Sequence, residues 1–124
     1  LECISRNANR VTFVENYKEA LEVLKNNILK LKIQKKCHVI EENCFNYFNP
    51  NKIFDEKFDL IFIDPPYREK KINLIIDEIK EKMILNSKGI LIIHRHKKDN
   101  IKISNKFRIL DERNYGISKI IIGN

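Results

Sequence analysis

The stretch that decides the fold is FDLIFIDPPY, residues 58–67. Its first seven residues, 58–64, form a nearly continuous apolar run, which is typical of a strand covered on both faces of a parallel sheet. The two prolines lack the backbone N–H that a ladder hydrogen bond needs, so the strand is predicted to end at Asp64. Because ligands bind beyond the carboxyl ends of strands in an open α/β sheet, Asp64 is predicted to lie at a functional site.

Short strands and helices flank this stretch on both sides. A two-residue apolar period predicts strands, and a three- and four-residue period predicts helices. The predicted strands are 10–15, 38–41, 58–64, 90–94, 106–112 and 118–122, and the predicted helical segments are 1–7, 18–32, 45–48 and 70–83. Residues 86–89 are predicted to form a turn, and the short link at 114–116 favours an antiparallel hairpin. The sequence therefore predicts a single α/β domain, residues 1–124, with a mostly parallel sheet and an antiparallel C-terminal hairpin.

The composition excludes several classes of protein. The 124 residues are 43% hydrophobic and carry a net charge of +7, which is the profile of one soluble globular domain. Apolar runs such as residues 60–63 are far shorter than the ~20 residues of a membrane span. The three cysteines lack metal-ligand spacing and favour reduced thiols in a cytoplasmic protein. The basic balance permits a nucleic-acid partner without demonstrating one.

The tetrapeptide Asp64-Pro65-Pro66-Tyr67 combines two hydrogen-bond acceptors with a flat aromatic face. The exocyclic amine of a nucleobase becomes a competent nucleophile as its nitrogen pyramidalises, and acceptors aimed at its N–H groups favour that change. Asp64 Oδ and the Pro65 carbonyl can form such a pair, and Tyr67 can stack on the base. These four residues are therefore the predicted catalytic residues of an amino-methyltransferase. The alternative is a strand-ending turn in which Asp64 caps the following helix and Tyr67 packs on the rim.

Two further strand ends carry polar residues that suit a nucleoside. Glu15 closes the strand 10–15, where an acid accepts hydrogen bonds from ribose hydroxyls in dinucleotide-binding folds. Asn43 follows the strand 38–41 and could meet the polar edge of an adenine ring, with Cys44 or Phe45 as the apolar wall. The alternative for Asn43 is an ordinary helix cap.

Basic residues follow two strand ends on the side of the predicted site. Arg68 and Arg95 are the candidates for contacts with RNA phosphates. His94 and His96 flank Arg95, but no third metal ligand is near them in the sequence. Both histidines are therefore predicted to be solvated loop residues.

Together these motifs resemble the class I S-adenosylmethionine-dependent methyltransferases, and among them the RsmD-like family that methylates N2 of a guanine in 16S ribosomal RNA. LECISR, residues 1–6, is similar to the family's Leu-Glu-Ala-x-Ser-Arg segment. FVEN, residues 13–16, is similar to its ribose-binding strand end, and Asn43 falls where the family has Asp or Asn beside the adenine. FIDPPY, residues 62–67, matches the catalytic motif, which DNA adenine-N6 and cytosine-N4 methyltransferases share.

The resemblance implies a Rossmann-like class I methyltransferase sheet and in-line transfer of a methyl group from S-adenosyl-L-methionine to the amine. It implies cofactor binding by Glu15, Asn16, Asn43, Cys44 and Asp64. The implied partner is 16S ribosomal RNA or a small-subunit assembly intermediate, and the implied protein is a cytoplasmic monomer that needs neither a metal nor a membrane. Two alternatives stay open: a DNA amino-methyltransferase, and a degenerate nucleic-acid-binding module without a cofactor.

One part of the family's pattern has no counterpart in this sequence. The family's first strand and its glycine-rich turn precede the segment that resembles residues 1–6, whereas all three glycines here fall at position 89 or later. In that fold the first strand pairs with the strands that correspond to 10–15 and 58–64. We therefore expect the chain to be the later part of a longer methyltransferase, or to be unable to hold the cofactor alone.

Isothermal titration of the 124-residue chain with S-adenosyl-L-methionine tests this expectation. We expect no binding at micromolar cofactor, because the turn that holds the methionine end has no counterpart in the sequence. The complete gene product, titrated in the same buffer, is the control. Micromolar binding by the 124-residue chain would contradict the expectation.

Overall fold

The computed structural model describes residues 1–66, 69–100 and 102–124. This described part contains, in chain order, α1 (Glu2–Ser5), β1 (Val11–Glu15), α2 (Lys18–Lys30), a 3₁₀ helix (Gln34–Lys36), β2 (Cys37–Glu41), α3 (Cys44–Tyr47), β3 (Phe58–Ile63), α4 (Ile72–Glu81), β4 (Leu85–His96), β5 (Ile109–Tyr115) and β6 (Ser118–Gly123). The chain divides into two compact units, unit 1 (Leu1–Tyr47) and unit 2 (Phe48–Asn124). Among the described helices, none has the length and apolar character to cross a lipid bilayer.

Unit 1 is built on a parallel pair of strands. β1 lies against β2 in a register that places Glu15 opposite Glu41. α2 connects the two strands, and its apolar spacing buries Leu21 and Ile28. Lys25 Nζ of α2 lies 2.5 Å from Glu41 Oε1 and links the helix to the end of β2. The carboxyl ends of β1 and β2 therefore lie side by side.

Unit 2 is a four-stranded sheet in the order β3-β4-β6-β5. β3 and β4 are parallel and are connected through α4, while β6 is antiparallel to both β4 and β5. The apolar stripe of α4 is fully buried, as the three- and four-residue spacing predicts. The buried apolar side chains of this unit are Ile72, Ile75, Ile76, Ile79, Ile84, Leu91, Ile93, Phe107 and Ile121.

β3 differs from its prediction in one respect. It was expected to be covered on both faces, but Leu60 and Phe62, which alternate on one face, are 42% and 55% exposed. The opposite residues on β4 share this face, and Ile90, which pairs with Leu60, is exposed as well. The prediction of two covered faces is therefore wrong for the described chain, because α4 supplies apolar cover to one face only.

β4 is longer than predicted at both ends. It begins at Leu85, opposite Phe58, and the pairing then jumps to Ile90 opposite Leu60. The predicted turn at 86–89 is this irregular insertion within the strand. At its other end β4 continues to His96 because it pairs with β6 up to that residue.

The antiparallel C-terminal hairpin is confirmed. β5 and β6 are joined by two residues between the paired Tyr115 and Ser118. Gly116, the first of the two, has a φ of 58°, which suits glycine and is the preference of a type II′ hairpin turn. β5 begins at Ile109 rather than at 106, and α2 ends at Lys30 rather than at 32.

The buried stripe of α4 gives a direct test of this fold. Ile76 is 0% exposed, whereas Leu74 on the same helix is 58% exposed. Ile76→Ala is expected to lower the free energy of unfolding by about 2–5 kcal/mol through lost burial and a residual cavity. Leu74→Ala, the control, is expected to change it by less than about 0.5 kcal/mol. Chemical denaturation of the two variants measures both values, and equal losses would contradict the assigned helix face.

Candidate functional site

The end of β3 places Asp64 beside β4. Ile63 pairs with Ile93 in the parallel register, so the residues that follow them, Asp64 and His94, are neighbours at the carboxyl end of the strand pair. Pro65 and Pro66 cannot extend the ladder, and the chain leaves the sheet there. The backbone N–H of Glu69 donates to the Pro66 carbonyl at 2.9 Å.

A concave pocket of about 200 Å³ lies at this strand end in unit 2. The predicted Asp64 and Pro65 line it, together with residues from β4 and from the hairpin. The full lining is Asp64, Pro65, His94, Arg95, His96, Ile117 and Ser118. The pocket therefore joins the predicted catalytic acid to side chains from two neighbouring strands and a hairpin turn.

His94 makes the most direct contact with Asp64. Its Nδ1 lies 2.8 Å from Asp64 Oδ1. The His94 side chain is 33% exposed and the Asp64 side chain is 59% exposed. The prediction that His94 and His96 are solvated loop residues is wrong, because both belong to β4 and both are half-buried.

Arg95 lies inside unit 2. Its side chain is 3% exposed and forms an ion pair with Asp99, and its Nη2 donates to the Glu69 carbonyl at 3.0 Å. Alternation along β4 sends Arg95 to the same face as the buried Leu91 and Ile93. Nε and Nη2 of the guanidinium thus have partners within the protein, while Nη1 has none among the described residues. The predicted contact between Arg95 and an RNA phosphate stays a prediction.

Two predicted site residues fall outside the described part of the chain. These are Tyr67, proposed to stack on the base, and Arg68, proposed to contact RNA phosphates. Their predicted roles stay predictions. Pro66 is exposed on the described side of this gap.

In unit 1, Glu15 is the last residue of β1 and pairs with Glu41 of β2. Its Oε1 accepts hydrogen bonds from the backbone N–H groups of Asn16 and Tyr17, each at 2.8 Å. These bonds hold the link between β1 and α2, and a negative charge near the start of a helix is favoured by the helix dipole. One carboxylate oxygen therefore has a structural task, and a carboxylate has a second oxygen with which it can accept.

Asn43 caps α3. Its Oδ1 accepts the backbone N–H of Phe45 at 2.9 Å, and its carbonyl accepts the N–H groups of Asn46 and Tyr47 at 3.0 Å each. The alternative reading of Asn43 as a helix cap is therefore what its contacts show. The cap leaves the side-chain NH₂ group of Asn43 as a donor, and Cys44 beside it is half-buried.

The structure thus brings Asp64 and Pro65 together in unit 2, and places Glu15 and Asn43 at adjacent strand ends in unit 1. The sequence reasoning missed four pocket residues, which are His94, His96, Ile117 and Ser118. Within the described ranges, no group of three or more His, Cys, Asp and Glu side chains is arranged to hold a metal ion.

The chain was compared with known protein families, and a family model matches its whole length. The sequence model described as "Conserved hypothetical protein 95" matches residues 1–124. A curated relative, "Ribosomal RNA small subunit methyltransferase D" of Buchnera aphidicola subsp. Acyrthosiphon pisum, is 26% identical over 113 residues, which are 91% of this chain and 58% of that protein. The chain therefore spans a little over half the length of this relative.

Comparison with solved structures gives the fold. A conserved hypothetical protein of Streptococcus pyogenes is similar with a TM-score of 0.84 at 24% identity, over 97% of this chain and 74% of that one. The SAH-bound methyltransferase PaMTH1 of Podospora anserina is similar with a TM-score of 0.61 at 18% identity, over 71% of this chain and 36% of that one. These likenesses confirm the predicted α/β class I methyltransferase fold.

The buried ion pair beside the pocket generates a stability prediction. Arg95→Ala removes the guanidinium that pairs with Asp99, whose side chain is 12% exposed, and is expected to cost about 3–5 kcal/mol of unfolding free energy. Arg113→Ala, the control, breaks the exposed pair between Arg113 and Asp111 and is expected to cost about 0–1 kcal/mol. Denaturant titrations of both variants measure the difference. A loss for Arg95→Ala no larger than that of the control would contradict the structural assignment.

Proposed function

The chain belongs to the Conserved hypothetical protein 95 family, and from this membership we propose that the complete protein methylates the exocyclic N2 amine of a guanine in 16S ribosomal RNA. This is the RsmD-like family that the motifs of the sequence resemble. The proposed methyl donor is S-adenosyl-L-methionine, and the proposed partner is 16S ribosomal RNA or a small-subunit assembly intermediate.

One observation carries the proposal. Asp64 and Pro65 stand at the carboxyl end of β3, directly after its last paired residue, and line the same pocket of about 200 Å³. Ligands of open α/β sheets bind beyond such strand ends. A carboxylate and a proline-fixed carbonyl at one pocket wall supply the two acceptors that an exocyclic amine needs.

The chemistry asked of these residues is modest. Asp64 and the Pro65 carbonyl accept hydrogen bonds from the amine and favour the pyramidal nitrogen, whose lone pair is then free to react. A proton can leave the nitrogen after methyl transfer, so Asp64 has to orient and stabilise rather than act as a strong base. Tyr67 is proposed to stack on the target base and hold it in plane.

The residues of unit 1 fit the nucleoside part of the proposed cofactor. The two backbone contacts of Glu15 use Oε1 only. Its other carboxylate oxygen, Oε2, is proposed to accept a hydrogen bond from a ribose hydroxyl, and Asn16 is the next residue. Asn43 keeps its NH₂ group beyond its capping bond, and Cys44 offers an apolar wall. When bound, S-adenosyl-L-methionine would supply the electrophilic methyl group. The similarity to a SAH-bound methyltransferase supports this assignment.

The choice of RNA over DNA rests on the relatives. The catalytic motif alone also occurs in DNA amino-methyltransferases, so it supports the reaction more than the substrate. The curated Buchnera relative carries a ribosomal RNA name, and the LECISR segment at residues 1–6 points to the same family.

A methyl-transfer assay with the complete gene product tests the proposal. We expect transfer to unmodified small-subunit RNA by the wild type, and a loss of about 10²-fold or more in kcat for Asp64→Ala, because one preorganised acceptor is removed. Asp55→Ala is the control, since Asp55 is an exposed acid in the loop before β3. Mass analysis of the RNA identifies the methylated base and the position of the methyl group.

The outcomes separate the alternatives. Equal activity of Asp64→Ala and the wild type would remove Asp64 from its role. Methylation of DNA but not of RNA would favour the DNA amino-methyltransferase. Nucleic-acid binding with no methyl transfer and no cofactor binding would favour a degenerate binding module.

A further inference from the structure

The His94–Asp64 pair has a defined proton arrangement. His94 Nδ1 and Asp64 Oδ1 are 2.8 Å apart. An ionised carboxylate can only accept hydrogen bonds, so Nδ1 must carry the proton and donate it. In the neutral ring Nε2 then has the free lone pair, and the tautomer of His94 is set by its contact with Asp64.

Asp64 depends on this bond for its orientation. Among the residues that the structure describes, His94 is the one hydrogen-bond partner of the Asp64 side chain. That side chain is 59% exposed, so little packing restrains its two side-chain dihedrals. A single donor held on the sheet therefore selects which carboxylate oxygen is engaged and which is left to accept from a ligand.

His94 itself is firmly held. It lies within β4, whose backbone is paired with β3 on one side and with β6 on the other, and its partner on β6 is Ile120. The next residue, Arg95, lies on the buried face, and its Nη2 donates to the Glu69 carbonyl at a distance of 3.0 Å. Consecutive residues of β4 thus contact Asp64 and Glu69.

We propose that His94 is a positioning residue for Asp64: its Nδ1–H fixes the carboxylate so that Oδ2 stays available to the reacting amine. This inference rests on the proposed methyl-transfer function. It assigns His94 no contact with the base or with the methyl group. Loss of the Nδ1–H donor is expected to lower kcat, because the carboxylate must be correctly placed in the transition state. It is expected to have little effect on KM for RNA or for the methyl donor.

Two substitutions of His94 in the complete gene product test the role by kinetics. His94→Leu removes the donor and is expected to lower kcat by about 10- to 100-fold with unchanged KM values. His94→Asn keeps a side-chain N–H and is expected to stay within about threefold of the wild type. His38→Leu, on the exposed side of β2, is the matched control and is expected to leave kcat unchanged. Thermal melting of each variant separates lost stability from lost positioning.

A spectroscopic measurement tests the pair without turnover. Long-range ¹H–¹⁵N spectra of the wild type are expected to show a proton on His94 Nδ1, and Asp64→Ala is expected to shift the ring toward the other tautomer. An Nδ1 that carries no proton in the wild type, or an unchanged tautomer in Asp64→Ala, would overturn the pair and the proposal.

Failure of this inference is distinguishable from failure of the proposed function. A wild type that methylates RNA, together with a folded His94→Leu variant of equal kcat, overturns the positioning role alone. A wild type that transfers no methyl group overturns the proposed function, and the positioning role falls with it even where the spectra show the hydrogen bond.

Discussion

The parallel pairing of β3 with β4 sets the position of Asp64 relative to the residues of β4 that line the pocket. Its register places Ile63 opposite Ile93, and this alone brings Asp64 next to His94. Because side chains alternate between the faces of a sheet, a slip of one residue would exchange His94 for Arg95 and move Ile93 out of the core. Burial of the apolar face of β4 therefore fixes which β4 residue lies next to Asp64.

His94 and Arg95 are adjacent in β4, and they make different contacts because their side chains lie on opposite faces of the sheet. His94 lies on the half-exposed face, where it meets a carboxylate that is open to solvent. Arg95 lies on the buried face, where its charge is balanced by Asp99 and a backbone carbonyl. A buried guanidinium without such partners would be very unfavourable. At the end of β4 that lines the pocket, Arg95 therefore makes contacts on the buried face, and His94 contacts Asp64 on the half-exposed face.

Much of this arrangement could be predicted from the sequence. The apolar run before Asp64 and the two prolines after it were enough to place the acid at a strand end, and the amphipathic pattern of 70–83 was enough to identify the buried face of α4. The alternation of Leu91, Ile93 and Arg95 also carried a signal that the strand continues. The polar triplet His94–His96 hid that signal, because its composition alone favours a loop.

Other features depend on contacts between distant parts of the chain. The insertion of β6 between β4 and β5 is what extends β4 to His96 and brings Ile117 and Ser118 to the pocket, and no local pattern encodes that strand order. The hydrogen bonds that Glu15 and Asn43 accept from nearby backbone amides are local, and both residue types were compatible with such a structural bond and with a ligand contact. Sequence could name these residues as candidates but could not choose between the two tasks.

The edge position of β3 has a consequence for how the chain behaves at high concentration. β3 has a strand on one side only in the described sheet, and its Leu60 and Phe62 are largely exposed. An open row of backbone donors and acceptors next to exposed apolar side chains is a template for another chain. Covering this edge of β3 within the molecule would therefore reduce the tendency of the protein to associate with other copies of itself.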